Sequence, residues 1–270
     1  MPELPEVEVI ARGLDGWLPG QRIQAVDLLW PRSVALPAAA EFIAGLTGRR
    51  FERVGRRGKF VQMALDNGAT LFVHLRMSGS LYRAPAGAPP GPHTRALFHL
   101  AGPCDLYFAD TRKFGRLYLT YEPAEIVSRL GPEPLGDDFS AGWLTTALRG
   151  RRTRIKPLLL DQTFIAGIGN IYADEALFLA GLHPSRVADS LSAGEAGRLH
   201  AAIREVLQSA IARRGTTLSD YRDAEGERGQ NQEFLRVYGR AGWPCERCGR
   251  PIERTVIGQR SAHFCPACQI

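Results

Sequence analysis

Cys245-Glu-Arg-Cys248 and, after sixteen intervening residues, Cys265-Pro-Ala-Cys268 form the stretch that decides how the rest of this 270-residue chain is read. Two Cys-x2-Cys pairs at that separation have the ligand spacing of a four-cysteine zinc ribbon. Each pair sits on a tight knuckle, and the knuckles end opposite strands of a hairpin, so four thiolates converge on one tetrahedral ion. Gly249 and Pro266 suit those turns. The alternative is two disulfides or free thiols, which the paired spacing and an expected cytoplasmic setting disfavour. The metal implied is one structural Zn2+, because four protein ligands leave no position for water. So short a ribbon has little core of its own and depends on its metal to fold. Arg260, near the hairpin tip in Gly258-Gln259-Arg260, is placed to meet phosphates. Cys104 stands apart, in a strand region, and reads as a small buried hydrophobe.

Moving toward the N-terminus, the pattern before the ribbon is helical. Ser192-Ala-Gly-Glu195 is a capping box, and Leu199, Ile203, Val206, Ala210 and Ile211 continue an apolar face that Gly215 closes. Gly131 to Asp138, rich in Pro, Gly and Asp, reads as an interdomain linker. Earlier still the chain is β-rich. Ile23 to Trp30, Phe51 to Val54, Lys59 to Leu65, Thr70 to Leu75, Ala96 to Leu100, Asp105 to Ala109 and Arg116 to Tyr121 read as strands. Asn67-Gly68 is a hairpin signal, because both residues tolerate positive φ. Ala84 to Pro92 reads as an exposed connection without a functional role. Residues 5 to 18 carry a helical apolar stripe at Val7, Ile10, Leu14 and Leu18. The expected fold class is α+β and multidomain: a β-sandwich with a leading helix over 1–122, a helical domain over 123–235 and the zinc ribbon over 236–270.

Composition narrows the function. Lysine and arginine number 34 against 28 acids, a net charge of +6, and 44% of the residues are hydrophobic. That excludes a disordered chain, and no run approaches the roughly 20 apolar residues of a membrane helix. The acidic, Pro-interrupted start is unlike a secretory signal, so a cytoplasmic protein is expected. The basic excess is mild, but it is clustered at Arg49 to Lys59, Arg151 to Lys156 and along the tail from Arg236. Solvated surface faces are the plain explanation; nucleic-acid contact is the sharper one. Only Lys59, Lys113 and Lys156 are lysines, so each marks a place where a compact ammonium could matter.

Pro2-Glu3-Leu4-Pro5-Glu6-Val7-Glu8 closely resembles the opening of the formamidopyrimidine-DNA glycosylases. The likeness continues in order through Gly58-Lys59-Phe60, His74-Leu-Arg-Met77-Ser-Gly79, Asp110-Thr-Arg112-Lys-Phe114-Gly115-Arg116, Leu158-Leu-Leu-Asp-Gln162 and Gly167-Ile-Gly-Asn170-Ile-Tyr-Ala-Asp-Glu175. It then takes in Val237-Tyr-Gly-Arg240 and the ribbon itself. The resemblance implies that the helical domain contains a helix-two-turn-helix, with damaged double-stranded DNA lying across the cleft between domains. It implies a bifunctional glycosylase/AP lyase of base-excision repair, excising 8-oxoguanine and formamidopyrimidines through a Pro2 iminium intermediate followed by β,δ-elimination. A monomer associated with the nucleoid when on DNA is expected.

The chemistry is consistent with that implication. With Met1 removed, Pro2 presents a secondary amine, and free α-amino groups titrate at about 8. Attack on C1′ gives, after base loss, an iminium cation that serves as an electron sink. A following helix N-terminus and nearby Lys59 would disfavour the ammonium form. The resemblance makes Glu3 the acid at the sugar ring oxygen, and has Glu6 orient the chain end. Lys59 would hold phosphate or the oxidised base. The plain alternative for both glutamates is helix N-terminus stabilisation, and the two readings are compatible. Met77, Arg112 and Phe114 match the trio that fills the void left by an extruded base; taken singly, Met77 and Phe114 read as ordinary core. Asn170 and Arg260 match phosphate clasps, and His93, Lys156 and Tyr238 are also expected at DNA. Thr216, Thr217 and Tyr221 fall in a segment, Gly215 to Gly229, that resembles the loop over the everted base. Where many members then carry aromatics, this chain has Gln230-Asn231. Two rivals remain: an endonuclease VIII-like enzyme for oxidised pyrimidines, whose usual opening has Gly at the position of Leu4, and a catalytically silent lesion-binding protein.

Overall fold

The structure is a computed structural model that describes residues 2–270. The chain divides into two compact units, one formed by 1–128 with 213–230 and the other by 129–212 with 231–270. The segment 213–230 thus packs with the N-terminal unit although it follows the long helix in sequence.

In the first unit α1 (Leu4–Asp15) precedes nine strands: β1 (Ile23–Leu28), β2 (Val34–Leu36), β3 (Phe51–Arg57), β4 (Phe60–Leu65), β5 (Thr70–His74), β6 (Gly79–Pro85), β7 (Thr94–Leu100), β8 (Cys104–Asp110) and β9 (Arg116–Thr120). A short helix, α2 (Ala39–Leu46), lies between β2 and β3 in sequence. The strands form a four-stranded sheet, ordered β1-β7-β8-β6, and a five-stranded sheet, ordered β2-β9-β5-β4-β3. Strict alternation in β4, whose Val61, Met63 and Leu65 are buried, gives that sheet its inner face. Leu81, Phe98 and Phe108 of one sheet share a core with Val61, Leu71 and Leu117 of the other, and Val7, Ile10 and Leu14 of α1 join it. The α1 stripe predicted from the sequence is therefore the face it buries.

Turn chemistry fixes the register. Between β4 and β5 only Gly68 takes a positive φ (83°), while the Asn67 side chain accepts from Ala69 N–H at 3.2 Å. The hairpin expected at Asn67-Gly68 is present, as a three-residue loop closed by a left-handed glycine. The strand β6 was not anticipated. It is an edge strand, the place where its terminal Pro85 is tolerated. Cys104 is half-buried at the start of β8, not a core residue.

A short helix, α3 (Ala124–Val127), still belongs to the first unit; the second contains α4 (Ala141–Leu148), α5 (Ile155–Leu160), α6 (Asn170–Ala180), α7 (Ala193–Ala212) and the hairpin β10 (Glu253–Ile257) and β11 (Arg260–Phe264). Residues 131–138 are not a free linker. Gly131 N–H donates to Gln162 O at 2.9 Å, and Arg204 donates to Pro134 O and Gly136 O, so the segment is bonded into this unit. A Cβ on Gly131 would sit 2.4 Å from Phe164 O, which is why glycine stands there. The capping box predicted at α7 is present: Ser192 N–H donates to Glu195 Oε2 at 2.8 Å and Glu195 N–H to Ser192 Oγ at 3.3 Å. By contrast α6 is buried nearly all round, from Ile171 to Phe178. It ends at left-handed Gly181 (φ 73°), with Leu182 N–H returning to Leu177 O. No helix among the described residues is long and apolar enough to cross a membrane.

Candidate active site and zinc centre

At the head of the first unit, Pro2, Glu3 and Glu6 are all buried, the two glutamates at 1% exposure. Glu3 is the N-cap of α1 and Glu6 its third residue, and they make a reciprocal capping box. Glu6 does more than cap. One of its oxygens accepts Glu3 N–H at 2.8 Å and the other accepts Thr216 N–H at 2.7 Å. A single carboxylate thus ties the chain start to the root of the 213–230 loop. Tyr221, also buried, donates its hydroxyl toward Arg214 O (3.2 Å) and Glu6 O (3.5 Å). Burial, followed by the Glu6 charge, pushes the Tyr221 phenol well above its usual range, so it is a donor throughout. Thr217 Oγ1 bonds Tyr221 O and receives Gly229 N–H, closing the root. Thr216, Thr217 and Tyr221 are therefore the buried root of the loop, and residues 218–220 and 225–228 are exposed parts of it.

Lys59 lies in the two-residue turn of the β3–β4 hairpin, after Gly58 (φ 55°), yet is only 7% exposed. The neighbouring Phe60 ring packs edge-on to His74 at 4.7 Å. His74 is a residue to which the sequence reading assigned no role. Burial first, then the charges of Arg76 and Lys59, pull its imidazole down to about 3. The ring stays neutral, and its Nδ1 accepts Arg76 N–H at 3.0 Å, holding Arg76 in a left-handed conformation (φ 54°) just before Met77.

Met77 and Phe114 are 41% and 48% exposed, which excludes the ordinary-core reading for both. The Arg112 guanidinium lies over the Phe114 ring at 4.9 Å. What brings the two loops together is Asp110, which the sequence reading quoted but gave no task. Its buried carboxylate accepts Ser78 Oγ–H at 2.5 Å, Arg112 N–H at 3.1 Å and Gly115 N–H at 2.7 Å. Ser78 follows Met77, so one carboxylate fixes the supports of all three exposed side chains. His93 is exposed and lines a hollow of about 380 Å3 with Ser78, Tyr82, Asp110, Asp220 and Arg222. Gly91 and Pro92, at the end of the connection expected to be idle, line it too.

In the second unit Gln162 braces the turn that leads into α6. Its amide donates to Leu160 O and Ile168 O and accepts Gly167 N–H, with Gly167 left-handed (φ 87°). Asn170 opens the helix and donates to Ser261 Oγ at 3.3 Å, beside the exposed Arg260 on β11. The expectation that Lys156 meets DNA is corrected. It is fully buried, and its Nζ donates to Asp174 Oδ1 at 2.6 Å and to Ser261 O. The other Asp174 oxygen accepts His263 N–H at 2.9 Å. An ammonium so enclosed offers nothing to a phosphate; it anchors the strand that carries Arg260. Next in the helix, Glu175 accepts the N–H groups of Arg236, Val237 and Tyr238 at 2.8–2.9 Å. Burial raises its carboxyl above the ordinary value despite these bonds. Tyr238 is half-buried, its ring 5.0 Å from His263.

Cys245, Cys248, Cys265 and Cys268 place their sulfurs within 4.8 Å of one another, and none is in a disulfide. The Cys245–Cys268 and Cys248–Cys265 separations of 3.9 and 3.4 Å bracket the roughly 3.8 Å edge of a tetrahedron with Zn–S bonds of about 2.3 Å. Left-handed Gly249 and a Gly249 N–H bond to Cys245 O form the first knuckle. The residues present fit one tetrahedral zinc ion with no open coordination position.

The comparisons with known proteins fall on these same parts. Residues 1–117 match the model of the formamidopyrimidine-DNA glycosylase N-terminal domain, 130–222 that of the formamidopyrimidine-DNA glycosylase H2TH domain, and 242–270 that of a zinc finger found in FPG and IleRS. A formamidopyrimidine-DNA glycosylase of Pelotomaculum thermopropionicum is 48% identical over 273 residues, covering 100% of this chain and 99% of the relative. Among solved structures, a Lactococcus lactis FPG mutant in complex with Fapy-dG containing DNA superposes with a TM-score of 0.93 at 38% identity, covering 99% of each chain. The Lactococcus lactis Fpg in complex with abasic-site DNA gives the same TM-score, identity and coverage.

Proposed function

The chain belongs to the formamidopyrimidine-DNA glycosylase family, and from that membership we propose that it removes oxidised purines, 8-oxoguanine and formamidopyrimidines, from duplex DNA and then cuts the abasic strand. It is a zinc-ribbon DNA glycosylase with AP lyase activity that acts in base-excision repair on damaged DNA. The cytoplasm, on the nucleoid, is the compartment that fits this work.

The observation that carries the mechanistic reading is the buried cluster of Pro2, Glu3 and Glu6 at the start of α1. With Met1 removed, the Pro2 nitrogen attacks C1′ of the extruded nucleotide. The N-glycosidic bond breaks, and its electron pair leaves with the base, which takes up a proton. Glu3, as the acid, donates its O–H proton to the ring oxygen as the C1′–O4′ bond breaks. The Pro2 nitrogen loses its own proton and its lone pair forms the C1′=N bond; the Glu3 carboxyl keeps a lone pair for its capping bond. The resulting iminium draws electrons from the C2′–H bond, whose proton is lost, and the C3′–O bond to phosphate breaks. A second loss, at C4′, breaks the C5′–O bond. Glu6 holds the backbone beside Pro2 through Glu3 N–H, and Lys59 serves phosphate or the oxidised base. Met77, Arg112 and Phe114 fill the space the base has left. Asn170 and Arg260 bind the flanking phosphates, and the zinc, when bound, holds the hairpin that carries Arg260. The 213–230 loop covers the everted base.

Borohydride added during reaction with duplex DNA carrying 8-oxoguanine opposite cytosine tests this. The expected product is a protein–DNA cross-link that peptide mapping places on residue 2. A cross-link on a lysine, or efficient excision by protein that retains Met1, overturns the Pro2 mechanism. Binding without excision or nicking favours a silent lesion-binding protein instead.

A further inference from the structure

The 213–230 segment leaves and returns through one narrow neck. Gln230 N–H donates to Arg213 O at 2.9 Å, and a Cβ on Gly229 would sit 2.1 Å from Gly215 O. Two separate sets of bonds hold what lies beyond the neck. The root is held by Thr216 on Glu6 and by buried Tyr221. The outer part is held by Asp223, whose carboxylate is 99% buried. Asp223 Oδ1 accepts Glu225 N–H at 3.1 Å and Glu227 N–H at 2.9 Å, which closes a small turn around Gly226 (φ 84°). Asp223 Oδ2 takes the Arg214 guanidinium through two nitrogens, Nε at 3.0 Å and a terminal nitrogen. Arg214 is itself left-handed (φ 60°), a conformation that favours glycine. A non-glycine residue there is sustained by what its side chain does, and that side chain reaches Asp223. Arg83 N–H on β6 donates to Ala224 O at 3.1 Å, so the latched turn lies against the sandwich. Ser219, Asp220 and Arg222, just before the latch, line the same hollow as Ser78 and His93.

We propose that Asp223, whose Oδ2 accepts two N–H groups of the Arg214 guanidinium, is a positioning residue for base excision: it fixes the outer part of the loop over the hollow, while Glu6 fixes the root independently. The proposal rests on the reading that this loop covers the everted base. Opening the latch misplaces Arg222, which directly precedes Asp223, and loosens the C-terminal side of the segment that carries Ser219 and Asp220, without breaking the Thr216–Glu6–Glu3 chain. The step that needs a covered base slows, and the step that acts on a sugar already without a base does not.

The test compares Asp223→Asn, Arg214→Gly and the double variant with the wild-type full chain in single-turnover assays on two duplexes, one carrying 8-oxoguanine and one a preformed abasic site. Arg214→Gly matters because glycine accepts the left-handed backbone, so its effect reports the lost latch rather than strain. Excision is expected to fall about tenfold or more in each single variant, because small misplacements carry such costs. Abasic nicking should stay within about twofold, and the double variant should be no worse than the worse single, as for residues acting as one pair. Arg214→Lys, which keeps the charge but not the fork, should fall between. Hydrogen exchange at 223–227 should rise in all variants. Unchanged excision in Asp223→Asn, or equal loss on both duplexes, overturns the proposal alone. A wild-type protein inactive on both duplexes overturns the proposed function and the proposal with it.

Discussion

The sandwich and the ribbon solve the same problem, holding arginines and backbone steady for DNA, by different means. The sandwich buries two apolar sheet faces and α1 in one core, and then positions its functional loops with single carboxylates, Glu6, Asp110 and Asp223, that collect backbone N–H groups. Among the described residues, one small ribbon cluster packs Val237, Cys245, Ile252 and Cys265 with Phe178 of α6, Cys268 lies against it, and three of these are zinc ligands. Hydrophobic burial can carry the first without help, whereas the second relies on its metal and on ties to α6. Arg247, which donates to Phe178 O at 3.1 Å and Leu179 O at 3.2 Å, is one of those ties.

Removing the metal is the strongest way to break this contrast. A chelator, or Cys265→Ser, should unfold residues 242–270 and cost at least about a hundredfold in DNA affinity, while the strands of 1–120 keep their hydrogen-exchange protection. Simultaneous loss of protection in both regions would erase the distinction. Next in size, Lys156→Ala leaves Asp174 buried and uncompensated, and should cost about 3–5 kcal/mol in urea unfolding. Lys156→Met combined with Asp174→Asn should recover much of that. A double variant as unstable as the single would mean the pair is not the source.

Asp110→Ala probes the sandwich's counterpart. It removes the acceptor of Ser78 Oγ–H and of Gly115 N–H and one of the two acceptors of Arg112 N–H, which also reaches Ser78 Oγ at 3.1 Å, at about 3 kcal/mol in all. Exchange should rise in 76–79 and 111–116 together, since one carboxylate serves both loops; a rise in only one would refute the shared support.

Smallest of all is a pH effect. His74 sits at about 3 in the fold against 6.5 unfolded, so between those values only the unfolded chain holds the extra proton. Stability contributed by the neutral ring is complete above 6.5 and is lost as pH falls toward 3. Between 6.5 and 4.5 the lowered carboxyl groups of Glu8 and Glu195 contribute little, but His183, whose imidazole is also lowered by burial, adds to the same trend, so the His74 share is the difference between wild type and a His74 variant. Denaturation midpoints of His74→Gln should be flatter than wild type across it, and identical slopes would sink the assignment.

What could be read in advance follows from which forces act locally. The cysteine spacing, the Ser192–Glu195 box and the left-handed glycine of the β4–β5 turn are decided by residues three or four apart, and each was legible. The bracing carboxylates were not. Asp110 reaches Ser78, 32 residues away, and Glu175 reaches Tyr238, 63 residues away, separations at which no periodicity survives. Lys156 misled for a related reason: in an Arg-rich run it looks solvated, and only the fold reveals that Asp174 and Ser261 enclose it. β6 escaped because Gly79 and Pro85 read as loop residues unless the strand is known to be an edge. In the catalytic cluster the residues were legible and their wiring was not; nothing before the fold linked Glu6 to Thr216, 210 positions later.

Helix α6 has a last consequence, for how this chain can change length. Asn170 heads it, and Asp174 and Glu175, neighbours along it, face two different strips of chain, Ser261–His263 and Arg236–Tyr238. Each helical residue advances the direction of its side chain by about 100°. One codon gained or lost between 170 and 175 would therefore swing one set of grips away from its strip whichever way the helix reseated. Insertions and deletions should be tolerated at the surface turns, and this short rod should keep its count.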